Sequence, residues 1–160
     1  MKVPERWILG QTVLTLALLA SGPLDGDWSN ASLGARIAAG ILLVVGAWLG
    51  IAGVVDLGKN RTVSPVPKVD GNLVTTGVYR RVRHPLYGSL IALGAAWSLA
   101  WATWIGALVT VALWRLLFGK STFEETLLES RFPDYGAYRE TTPRFFPFGG
   151  VRGDPSGRED

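Results

Sequence analysis

The chain is 160 residues long, 48% hydrophobic and only 18% charged, with a formal net charge of +3; the length predicts one domain, and the composition is too apolar for an ordinary soluble fold. With no cysteine, disulfides and thiolate metal centres are excluded, and a single histidine, His84, leaves no basis for a histidine-built one. The basic residues border apolar blocks rather than cover a polar face, so the positive balance points to anionic lipid head groups and not to nucleic acid.

Residues 8–24, 37–55 and 85–114 carry no charge, and each block reaches or approaches the roughly 20 residues of a membrane-spanning helix. The first, after MKVPER, has the outline of a signal peptide, but Gln11, Thr12 and Thr15 suit a retained helix packed on its neighbours, which is the reading adopted. The loop to the second block holds Asp25 and Asp27 and no Lys or Arg before Arg36, as expected of an outward-facing loop. Residues 1–57 are thus an N-terminal pair of transmembrane helices.

Residues 58–82, mixed in proline, glycine and polar side chains, predict an ordered loop at the membrane surface. The third block cannot be one straight span: a helix over 86–118 measures about 50 Å against a hydrocarbon core of about 30 Å. It must fold back near SLAWATW, residues 98–104, giving two short helices with Trp97, Trp101 and Trp104 as an aromatic belt at the tip. Lys59, Arg61, Lys68, Arg80, Arg81 and Arg83 precede the block and Arg115, Lys120 and Arg131 follow it, so both its ends belong on the cytoplasmic side. The predicted fold is therefore an all-α polytopic membrane protein. It has about four transmembrane helices, including a short hairpin, and both termini in the cytoplasm, with a bacterial inner membrane as the expected location. A cytosolic helix over 120–132, an aromatic closing flap and a disordered tail at 149–160 complete it.

Three features carry possible chemistry. In RHPLYG, Pro85 suits the first position of a helix and His84 its N-cap, so the free N–H groups of that turn offer a polar-ligand site. The plainer alternative is an interfacial helix start whose Arg80, Arg81 and Arg83 set depth at the head groups. In the next helix, Phe123, Leu127, Leu128 and Phe132 form one apolar arc with Glu124 near its middle and Glu125 and Glu129 at its edge. A carboxylate there needs a partner, and both an ion pair with Arg131 and a bound cation satisfy it. Finally, Tyr79, Tyr87, Tyr135, Tyr138, Phe145, Phe146 and Phe148 gather at the same membrane face, where aromatic rings either pack or attract organic cations such as a sulfonium.

Three stretches in order, LVTTGVYRRVRHPLYG (73–88), EETLL (124–128) and RFPDYGAYRETTPRFFP (131–147), resemble the isoprenylcysteine carboxyl methyltransferase family and its phospholipid methyltransferase relatives. The resemblance implies a small helical membrane enzyme with its methyltransferase core at 58–148. S-adenosylmethionine is then held at the cytosolic face under the C-terminal flap, with no metal, and a lipophilic substrate enters from the bilayer. By the same resemblance the cofactor-contacting residues are Asn72, Leu73, Val74, Tyr79, His84, Pro85, Leu86, Tyr87 and Glu124, with His84, Pro85 and Tyr87 as a pocket floor. Where prenylcysteine-modifying members carry an arginine one turn before the glutamate, this chain has Lys120, which cannot form a bidentate fork on a carboxylate. Lys120, Arg115 and Arg144 are the candidate substrate-positioning residues, and the expected substrate is another lipophile. A nicotinamide-dependent membrane reductase of the steroid reductase kind and a non-catalytic membrane scaffold are the competing classes.

Overall fold

A computed structural model describes residues 5–58 and 72–147. They form five α-helices, Arg6–Asp25 (α1), Leu33–Leu57 (α2), Pro85–Ala100 (α3), Trp104–Arg131 (α4) and Tyr135–Thr141 (α5), with short 3-10 turns at Trp28–Asn30 and Gly77–Arg80; the described residues contain no strand. Three of the helices, α1, α2 and α4, are long and apolar enough to cross a membrane. The fourth apolar helix, α3, has 16 residues and rises only about 24 Å. Part of the predicted surface loop, residues 59–71, lies outside the described residues, as do Phe148 and the tail.

The first block is a packed helix, as expected, although Thr12 and Thr15 spend their hydroxyls on the carbonyls of Ile8 and Gln11 in their own helix. The third block folds back at Trp101–Thr103, inside the predicted turn. Thr103 Oγ1 caps α4 by accepting from the Gly106 N–H at 3.1 Å. Asp25, at the end of α1, accepts from the Thr103 hydroxyl at 2.9 Å and the Ile105 N–H at 3.2 Å. A carboxylate at that helix start is favoured both as an acceptor for free N–H groups and by the helix dipole. The tight connection holds Ala102 at φ +48°, a left-handed conformation that costs an L-residue about 1–2 kcal/mol. Replacing Ala102 with glycine is therefore expected to raise thermal stability by up to about 1 kcal/mol, read in micelle-solubilised protein.

The hairpin departs from expectation in its second arm. Instead of a short helix followed by a separate cytosolic one, α4 runs unbroken for 28 residues, about 42 Å. Nothing in 115–131 stops it: there is no proline, and Gly119 serves contact, since a Cβ there lies 3.0 Å from the Trp7 ring of α1. The belt also turns partly inward. Trp97 and Trp101 close over Gly22 of α1, and of the three predicted tryptophans only Trp104 is fully exposed, at 69%.

In packing order the helices run α2, α3, α4, α1, and α1 also touches α3. Small residues let α2 and α3 approach closely: Ser89 donates to the Gly46 carbonyl at 2.7 Å, and a Cβ on Gly50 meets the Ser89 hydroxyl. At the end of the bundle where α3 begins, Leu49, Val78, Tyr79 and Val82 form a buried cluster. The predicted flap is a packed cover there. The Arg83 and His84 N–H groups donate to the carbonyls of Pro143 and Arg144, both at 2.9 Å. Tyr138 donates to the Tyr79 carbonyl.

Candidate functional site

His84 is the N-cap of α3 and Pro85 its first residue, as predicted, but the imidazole makes no cap bond and faces α4 instead. One turn on, the Tyr87 ring stacks on it, centroids 5.4 Å apart and planes 7° from parallel. The Tyr87 hydroxyl donates to Glu124 Oε2 at 2.9 Å, and His84 Nδ1 lies 3.7 Å from the same oxygen. Phe145 of the cover sets its ring edge-on to His84 at 6.3 Å and to Phe118 at 6.4 Å. Lys120, one turn before Glu124, holds its ammonium 5.2 Å above the Tyr87 ring and donates to Gln11 Oε1 of α1 at 2.7 Å. His84, Tyr87, Lys120 and Glu124, four of the residues singled out in the sequence, thus meet at the covered end of the bundle.

The neighbouring carboxylate departs from the expectation. The helical arc puts Glu125 at an edge, whereas its side chain is 2% exposed and is the charge centre of this end. Arg144 Nη2 donates to it at 2.7 Å, Arg83 Nη2 lies at 3.2 Å and His84 Nε2 at 3.0 Å, with Arg139 Nε at 3.9 Å. A carboxylate offers only acceptors, so His84 Nε2 carries the proton in that bond, which fixes the ring with Nδ1 towards Glu124. Two of the arginines named in the sequence are engaged here. Arg83 does not reach for head groups, because it is buried against Glu125 and donates to the Arg139 carbonyl. Arg144, a candidate for positioning a substrate, binds Glu125 and Thr122 and lies 4.4 Å over the Phe118 ring. Glu125 has its full set of partners, whereas Glu124, with its side chain 24% exposed, keeps accessible surface for a ligand.

The remaining predicted residues scatter. Pro85 and Leu86 press on Gly53 of α2, Val74 and Tyr79 belong to the packed cluster, Leu73 is half-buried and Asn72 is exposed. Arg115 is exposed on α4 and joins none of the contacts above, and Arg131 stacks over Phe132 at the helix end. Burial pushes the phenols of Tyr79, Tyr135 and Tyr138 above the usual tyrosine range; Tyr79 donates to the Gly53 carbonyl and Tyr138 to that of Tyr79. Gln11, expected to pack on a neighbouring helix, does so by accepting from Lys120 of α4; nothing in the sequence pairs the two residues.

A family model described as phospholipid methyltransferase matches residues 35–135. The chain is 30% identical over 139 residues to the cobalt-zinc-cadmium resistance protein CzcN of Cupriavidus metallidurans, a match covering 84% of this chain and 58% of that protein. It is 34% identical over 79 residues to the nickel-cobalt-cadmium resistance protein NccN of Alcaligenes xylosoxydans xylosoxydans, covering 47% of this chain and 36% of that one. The matches therefore span less than two thirds of either relative's length.

Proposed function

The chain belongs to the phospholipid methyltransferase family, and from that premise we propose that it is a membrane methyltransferase that uses S-adenosylmethionine to methylate a lipophilic acceptor drawn from the bilayer. The observation that carries this reading is Glu124, a partly accessible carboxylate bonded by Tyr87 and set among rings under a cover. The residues present fit that cofactor, which offers a sulfonium, an ammonium and ribose hydroxyls, groups that seek acceptors and π faces. Glu124 Oε1 and Oε2 are acceptors beside the stacked faces of Tyr87 and His84. When bound, the cofactor supplies an electrophilic methyl group.

What the protein adds is alignment and exclusion of water. Well-oriented reactants gain about 7–11 kcal/mol from positioning alone, so the scarcity of obvious acid–base groups suits this chemistry. Phe145 shields the cluster on the cover side. Exposed Arg80 and Arg81 favour a cytoplasmic setting for this end; α1, α2, α3 and α4 then make four crossings with both termini inside, in keeping with a bacterial inner membrane. The two relatives are named for resistance to metals. This chain shares such a role, in our reading, through the membrane component it methylates.

The test is ligand-dependent stability. S-adenosylmethionine at a hundred times its dissociation constant is expected to stabilise the full chain by about 2.7 kcal/mol, and Glu124→Gln to remove most of that shift while leaving the ligand-free melting temperature in place. A shift with a reduced nicotinamide nucleotide and none with S-adenosylmethionine would move the protein to the reductase class. No shift with either ligand would favour a scaffold.

A further inference from the structure

Arg115 is exposed on α4, and among the described residues no side-chain hydrogen bond, ion pair or ring contact reaches it. The first helix gives its depth. At 20 residues α1 rises about 30 Å, the thickness of a hydrocarbon core, so Arg6 marks one interface and Asp25 the other. Gly10, four residues on from Arg6, faces Leu116 of α4, which sets Arg115 roughly 6 Å inside the level of Arg6. A guanidinium among lipid tails is expensive there. The Cα–Cβ bond of a helical residue tilts towards the helix N-terminus, which for α4 is the far end of the bundle, so the side chain sets out away from the nearer head groups.

A second cation borders the same stretch of surface. Along the seam between α1 and α4, Gly10 meets Leu116, Trp7 meets Gly119 and Gln11 meets Lys120. At about 100° per residue, Gln11 and Lys120 occupy one flank of this seam, and Arg6 and Arg115 the other, beyond Gly10 and Gly119. The two guanidiniums therefore line one outward groove, which the glycines leave open. Arg6 is exposed and has the Trp7 ring at 5.5 Å as a partner. Glu124 comes nine residues after Arg115, half a turn round the helix, so the groove lies on the back of α4 from the carboxylate assigned to the cofactor.

What covers the groove must bring negative charge into the membrane. Residues 7–24, 37–55, 85–100 and 104–123 contain no Asp or Glu, so the spanning stretches of a second copy offer no carboxylate at the depth of Arg115. A lipid phosphate can be drawn inward to it. We propose that the outer groove between α1 and α4 binds one anionic phospholipid of the leaflet at the covered end, its phosphate held between Arg6 and Arg115. Its chains lie along Val111 and Leu108, which are exposed on the same face of α4 as Arg115. The lipid clamps α1, which precedes the stretch matched by the family model, to the helix that carries Glu124. It is a structural lipid, and its binding is independent of the methyl-transfer reading.

The full chain in a neutral detergent is titrated with dioleoyl phosphatidylglycerol, dioleoyl phosphatidylcholine and inorganic phosphate. Bound lipid is counted by native mass spectrometry, and stability is read as the melting temperature. Phosphatidylglycerol is expected to bind about tenfold tighter than phosphatidylcholine and to raise the melting temperature. Inorganic phosphate, which brings no chains, should do neither. Arg115→Leu is expected to abolish the preference and, because it sets an apolar side chain against lipid, to melt no lower than the parent in phosphatidylcholine. Arg6→Gln weakens the preference several-fold, and Arg115→Lys keeps part of it, having the charge without the fork. Arg81→Gln, at an exposed arginine of the segment before α3, leaves it unchanged. Equal binding of the two lipids overturns the proposal, as does a preference that survives Arg115→Leu or is lost in Arg81→Gln. A dimer that dissociates in Arg115→Leu overturns it too, by giving the groove to a second copy.

Discussion

Replacing Glu125 with alanine is expected to destabilise the protein more than any other single change at the covered end. The carboxylate is buried, and Arg83 and Arg144 are the cations it neutralises, at 3.2 and 2.7 Å. Removing one partner of a buried ion pair costs about 3–5 kcal/mol, because the charge left behind has lost both water and counter-ion. That is a large part of the roughly 5–15 kcal/mol by which domains are usually stable. Two guanidinium groups are stranded here, which puts the loss at the upper end of that range. Glu125→Gln should fall between, keeping an acceptor for the His84 Nε2–H and losing the charge. The decisive comparison is the triple change Glu125→Leu, Arg83→Met and Arg144→Met. Replacing a whole buried ionic cluster with apolar volume is often neutral or better, so much of the lost melting temperature should return. If Glu125→Ala melts within about 1 kcal/mol of the parent, the cluster is not what holds the cover to α4.

Why Glu124 was legible and Glu125 was not follows from what hydropathy can resolve. A helical arc finds a carboxylate among apolar side chains, and Glu124 lies in the middle of one. Glu125 lies about 100° further round, where a single helix seen alone meets solvent; only the cover, folded back from beyond residue 131, makes that face an interior. A cue was present. Between Asp56 and Glu124 the sole acidic residue is Asp70, so any cation of the 79–84 segment that becomes buried must look to the EE pair. Arg83 was misplaced for a related reason: an arginine beside an apolar block has the same local sequence whether its head meets lipid phosphates or a buried carboxylate. The fold-back of 86–118 was legible because length alone forbids a single span, and the RHP helix start because proline at the first helical position fixes it locally. The continuity of α4 was not, since charge marks where a helix leaves the bilayer, whereas only proline, glycine or a cap marks where it ends.

Gly88→Ala offers the sharpest separation between a cover that is a working part of the site and one that merely packs against it. Gly88 is buried in the first turns of α3, and a Cβ there would lie 2.4 Å from the Phe145 carbonyl oxygen and 3.3 Å from its carbon. A side chain in that position would turn away, but a backbone oxygen cannot. Its strand of chain is pinned by the hydrogen bonds from Arg83 to Pro143 and from His84 to Arg144. The cover must therefore retreat until the contact reaches the 3.4 Å at which ordinary van der Waals packing begins, and Phe145 must move off His84 with it. Overpacking of this kind costs about 1–3 kcal/mol. If the cofactor binds under the cover, that cost falls on its affinity, about tenfold for each 1.4 kcal/mol. Gly136→Ala is the matched control: it lies in α5 of the same cover with nothing within 4 Å of its Cβ, and alanine in a helix should stabilise it by about 0.5–1 kcal/mol. The expected result is a Gly88→Ala protein that still folds but binds S-adenosylmethionine at least tenfold more weakly, with the cover cleaved faster by protease, while Gly136→Ala matches the parent in both assays. Equal cofactor affinity in the two variants would mean that the cover does not close the site.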